Sequence, residues 1–160
     1  MPEAISNTSP LLYLYRIGAL DLLVGLFARV WAPGAVLAEL EEGRMRGYDV
    51  PDAAKLAWLE RVDPEHTPSE WLALDLGAGE LSAMALALER REHVVLLDDA
   101  LARRTAQAAG LEVWGTVRVL LEAKSAGLII RIEPFVDELA KAGLWLSDEL
   151  RRRVLAQAGE

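Results

Sequence analysis

Short apolar runs alternate along the chain with stretches in which apolar residues recur every three or four positions, and glycine or proline separates one from the next. Such a pattern predicts strands of a few residues joined by helices. A strand over 3–6 runs into Ser9-Pro10, where Ser9 is placed to cap a helix with Pro10 in its first turn, and Gly18 ends that helix. A second short helix is expected over 21–27, a strand over 30–32, a break at Pro33 and a helix over 34–46. A helix over 52–59 and a polar stretch over 63–70 follow.

Beyond Gly77-Ala78-Gly79 the periodicity predicts a long helix through Arg91, with Leu81, Met84, Ala85 and Leu88 as its core stripe. Val94-Val95-Leu96-Leu97 has the length and branching of a strand buried on both faces. A helix over 101–109, a strand over 111–114, a helix from Gly115-Thr116 to about Gly127, and two amphipathic helices over 134–142 and 147–157 complete the chain. Alternation of this kind implies a three-layer α/β/α domain: a central parallel sheet of four or five strands with helices on both faces. One domain over 1–160 is expected, its core spanning 1–127 and a helical extension over 128–160 packed on it. Ligands of such sheets bind outside the carboxyl ends of the strands.

Composition narrows the chemistry. With 52% hydrophobic residues in 160, the chain can bury a sizeable core. No apolar run reaches the roughly 18 residues of a membrane span and Met1-Pro2-Glu3-Ala4 opens without a basic segment, so a cytoplasmic protein is expected. The absence of cysteine excludes disulfides, thiolate nucleophiles and cysteine zinc sites, and His66 and His93 are too far apart in sequence to make a convincing pair of ligands. A net charge of -8 argues against a long basic track for nucleic acid, so any such contact must be local. No glycine-flanked serine elbow is present, and Gly77-Ala78-Gly79 lacks the lysine of a phosphate-binding loop. Arg151-Arg152-Arg153 shares its helix with Asp148 and Glu149, as a solvated face does, and Trp71 and Trp145 suit either core or interface.

Polar residues stand where the strands should end: Asn7-Thr8-Ser9, Asp98-Asp99 and Gly115-Thr116. Each could simply cap the following helix, but their coincidence at one sheet edge points to a site. Glu80, in the first turn of its helix beside the small Ala83 and Ala87, either complements the helix dipole or faces a ligand. Glu39 and Glu41 flank the apolar face of their helix equally, and periodicity does not choose between them.

The segments Ile5-Ser6-Asn7-Thr8-Ser9-Pro10-Leu11, Pro33-Gly34-Ala35-Val36-Leu37-Ala38-Glu39-Leu40, Gly77-Ala78-Gly79-Glu80, Leu97-Asp98-Asp99-Ala100-Leu101-Ala102-Arg103 and Gly115-Thr116 occur in the order seen in PIN domains. The chain resembles the branch described as predicted nucleic-acid-binding proteins, similar to the ribonuclease toxins of VapBC-type toxin-antitoxin pairs. That resemblance implies an acidic pocket of Glu39, Glu80, Asp98 and Asp99, with Asn7, Glu80 and the aspartate pair holding Mg²⁺ or Mn²⁺, and with Ser9, Arg103 and Thr116 positioning substrate. One aspartate of the pair should turn inward while the other caps the next helix or pairs with Arg103; the residues do not say which. The resemblance further implies RNA, single-stranded or structured, as substrate, a possible small antitoxin and a homodimer, with hydrolysis of the phosphodiester as the reaction. Asn7 departs from the aspartate usual there, which leaves a catalytically weak scaffold for nucleic acid or protein as the alternative.

Overall fold

A computed structural model describes residues 1–160. Five three-residue strands form one parallel sheet: β1 (Ala4–Ser6), β2 (Val30–Ala32), β3 (Leu59–Arg61), β4 (Val94–Leu96) and β5 (Glu112–Trp114), in the order β3-β2-β1-β4-β5. The eight helices are α1 (Thr8–Arg16), α2 (Leu22–Leu26), α3 (Gly34–Met45), α4 (Ala78–Glu89), α5 (Ala100–Ala108), α6 (Thr116–Ser125), α7 (Glu133–Ala142) and α8 (Asp148–Gln157).

Strand side chains alternate between faces, and the two core clusters record that alternation. Ala4, Val30, Ala32, Val94, Leu96 and Trp114 share one cluster with Leu11, Leu14, Val36 and Val119. Ile5, Val95, Leu97 and Val113 share the other with Met84, Leu86, Ala102 and Ala106. One layer is thus α4 with α5, the sheet separates it from α1, α2 and α6, and α3 packs against both α4 and α1. Ile132 just before α7, and Val136, Leu139, Val154 and Leu155 of the last two helices, join the same cluster as Ala4.

Three local expectations differ. Residues 52–59 form no helix: Asp52 caps a single 3-10 turn at Ala53–Lys55, accepting from Ala54 N at 3.1 Å, and the chain then enters β3. Without that strand the outer edge of β2 would lack a ladder partner, and this long-range demand outweighs local helix propensity. Helix α1 begins at Thr8 with Asn7 in the N-cap position, so Ser9 caps nothing. Pro10 is tolerated there because the first-turn amides have no partner within the helix in any case. In α4 burial runs all round the helix from Ala83 to Ala87, since it lies against α3, α5, β1 and β4, whereas Leu81 and Leu88 are only partly covered. No helix is long and apolar enough to cross a membrane.

Candidate acidic site at the sheet's switch point

From β1 the chain winds outward through β2 to β3, then returns to place β4 on the opposite side of β1 and continues to β5. The crevice outside the carboxyl ends of β1 and β4 is therefore the point at which an open parallel sheet binds ligands. Register brings three polar positions to it: Ser6 and Trp114 both pair with Leu96, so Asn7, Asp98 and Thr116 leave neighbouring strand ends.

Asn7 is 2% exposed, and its backbone N–H donates to Leu96 O at 3.1 Å. Its side chain makes no capping bond, and its Oδ1 is buried without a donor. A buried acceptor left unpaired costs about 1–3 kcal/mol, so an atom of this kind calls for an explanation.

Glu39 of α3 is the glutamate that turns inward. Its carboxylate accepts from Thr8 Oγ1 and, at 2.8 Å, from the amide of Gly79 in the first turn of α4. A Cβ on Gly79 would stand 2.7 Å from both carboxylate oxygens, so the missing side chain admits the contact. Glu41 instead pairs with Arg44 at 3.1 Å on the exposed face. Glu80 is half-buried, and burial raises its pKa above the ordinary carboxyl value. The charges of Asp99, Glu39 and Asp75 push it further in the same direction, against a backbone hydrogen bond from Gly77.

The aspartate pair divides its work. Asp98 receives Thr116 N on Oδ1 at 2.8 Å and Thr116 Oγ1 on Oδ2 at 2.7 Å. Burial raises its pKa, while the Thr116 hydrogen bonds and the Arg103 charge oppose the shift. Arg103 lies directly over Gly115, where any Cβ would collide with its guanidinium. Asp99 caps α5, accepting from Ala102 N at 2.9 Å, yet its charge still reaches Glu80. Thus Arg103 sides with Asp98, and the cap belongs to Asp99.

Glu39 and Asp99 are each brought within electrostatic reach of Glu80, with Asn7, Asp98 and Thr116 on the adjoining strand ends. Ser9, in the first turn of α1, takes part in none of these contacts. Thr8 and Gly79 figure in the sequence only as members of the segments Asn7-Thr8-Ser9 and Gly77-Ala78-Gly79-Glu80, and nothing in those segments signals that both engage Glu39. No three acidic or histidine side chains converge closely enough to enclose an ion alone. The donor set present is an unpaired amide oxygen at the end of β1 and carboxylates at the neighbouring end of β4 and on α4. It fits a hard cation of the magnesium type, which takes one or two carboxylates and keeps several waters.

Residues 3–160 match a family model described as DUF3368, a PIN domain. Among solved structures the chain is similar to a PilT N-terminus domain protein from the hyperthermophilic archaeon Sulfolobus solfataricus P2. The two are 13% identical, with a TM-score of 0.52 over 91% of this chain and 97% of that one. Identity this low speaks for the fold alone. No curated protein matches the sequence significantly.

Proposed function

Because this chain belongs to the PIN-domain family, whose members are generally nucleases, we propose that it is a divalent-metal-dependent ribonuclease acting at the switch-point site. The orphaned Oδ1 of Asn7 carries the reading: a buried acceptor with no donor, at the strand end where such sheets bind ligands, suits a cation. Asn7, Glu80 and the aspartates Asp98 and Asp99 would hold Mg²⁺ or Mn²⁺. A cation held there would supply polarisation of a phosphoryl oxygen and a lowered pKa for water bound to it.

The chain's own residues prepare the place. Glu39 ties α1 to the first turn of α4 through Thr8 and Gly79, and so sets where Glu80 stands. Thr116 fixes both oxygens of Asp98. Burial first, and then the repulsion of Asp99 and Glu39, holds Glu80 above its ordinary pKa, and the repulsive part is what a divalent cation would relieve. Partnership with a small antitoxin and homodimerisation belong to the same proposal as features of toxin-type PIN proteins.

Purified protein incubated with single-stranded RNA and Mn²⁺ should cleave it, and Asp98→Asn and Glu80→Gln should each reduce the rate by about 10²-fold or more. Equal cleavage by all three proteins would assign the activity to a contaminant and end the proposal. A second reading, binding without cutting, draws on the neutral Asn7 and on the Asp98 oxygens already occupied by Thr116. It expects RNA retained by wild type and left intact in Mn²⁺.

A further inference from the structure

A groove of about 670 Å³ lies between α5, α6 and α8, and Asp98 and Gly115 form part of its wall, so it adjoins the acidic site. We propose that this groove holds an unpaired polynucleotide strand, its phosphates against Arg103, Arg104 and Arg118 and a base stacked on Trp145. The inference rests on the nuclease reading for its substrate and deepens it by giving that strand a path.

Two independent features converge on the groove. The first is charge. Of the fourteen arginines in the chain, most are committed to carboxylates, carbonyl oxygens or an aromatic face. Arg103, Arg104, Arg152 and Arg153 make no ion pair or hydrogen bond; the first two line the groove, and Arg153 stands on α8 beside Val154, which lines it too. Arg118 adds a third guanidinium, held over the Trp114 ring at 5.0 Å and beside Glu122 at 3.4 Å. Three arginines against Asp98 and Glu122 leave this wall locally positive in a molecule of net charge -8. That is the local contact to which an acidic chain is restricted.

The second feature is the indole. Trp145, in the turn between α7 and α8, is 79% exposed, whereas Trp71 and Trp114 are each 7% exposed. It lines the groove together with Leu150, itself 42% exposed. An aromatic face beside unpaired guanidinium groups is how proteins hold single strands, by stacking bases while tracking the backbone. A duplex cannot offer a base face to an indole, so the chemistry selects unpaired strands.

The test is fluorescence anisotropy with 5′-labelled 12-nucleotide oligouridylate, oligothymidylate and an RNA duplex of the same length, in EDTA so that cleavage plays no part. Wild type should bind at least one single strand more tightly than the duplex. Trp145→Ala should weaken that binding about five- to a hundredfold, with Trp145→Phe restoring most of it. Arg104→Ala should weaken it and make the slope of log K against log salt shallower by about 0.7. Unchanged affinity in both alanine variants, or preference for the duplex, overturns the proposal. So does a shift from dimer to monomer in Trp145→Ala with binding intact, which would make the face a contact between copies. Binding that survives Glu80→Gln and fails in Trp145→Ala supports the groove even where no cleavage is found. Cleavage indifferent to Trp145 and Arg104 removes the groove and leaves the nuclease.

Discussion

At the scale of single residues, the site turns on atoms with unequal freedom. Both oxygens of Glu39 and both of Asp98 are engaged by protein donors, one oxygen of Asp99 caps α5, and Asn7 Oδ1 has nothing. Replacing that amide by a carboxylate adds a desolvated charge where no donor exists, so Asn7→Asp should lower metal-free stability by about 1–3 kcal/mol. The same charge facing a cation should tighten Mn²⁺ binding by about an order of magnitude. Calorimetric titration of wild type and variant checks this; equal or weaker affinity in the variant would take Asn7 out of the ligand set.

Elements are held in place here by carboxylates that reach backbone amides of distant helices. Glu39 does so for α4, and Glu160 for α7. The Glu160 carboxylate accepts from Ile132 N at 2.8 Å and Glu133 N at 3.1 Å, and from Lys124 Nζ at 2.9 Å. It therefore caps α7 from outside the helix while tying it to α6. The hydrogen bond from Ile132, then that from Lys124, draws its pKa down from 4.5 to about 2, against the opposing effect of burial. A carboxyl lowered on folding contributes stability that is complete above its unfolded pKa and disappears as pH falls through the folded one. Wild type should accordingly be more resistant to urea than Glu160→Gln at pH 6, and the gap should close between about pH 4.5 and pH 2. A gap independent of pH would mean that packing, and not the charge, secures α7.

For the whole molecule the governing quantity is the net charge of -8. A protein this acidic repels polynucleotide everywhere except where cations are concentrated, so few phosphates can be neutralised at once. Three groove arginines imply a slope of log K against log salt of about -2 for a single strand. Titrations between 50 and 200 mM salt measure it, and a slope of -5 or steeper would require a basic surface outside the groove.

Much of this architecture was written locally. Short branched runs, helical periodicity and Gly/Pro punctuation specify strands alternating with helices, and such an alternation has few packings other than a covered parallel sheet. The polar strand ends at Asn7, Asp98 and Thr116 were legible for the same reason, since polar residues following buried strands stand out against the pattern. Periodicity did not give the inward turn of Glu39 over Glu41, which only the family resemblance implied, because both lie at equal angles from the apolar face and it is Thr8 and Gly79, supplied by other elements, that engage Glu39. Nor was β3 legible, whose half-exposed Leu59-Glu60-Arg61 becomes a strand because β2 has an edge to pair. The division between Asp98 and Asp99, the orphaned oxygen of Asn7 and the exposed indole of Trp145 were likewise decided in three dimensions. Each depends on register and on neighbours remote in sequence, and a one-dimensional pattern carries periodicity but no distances between elements.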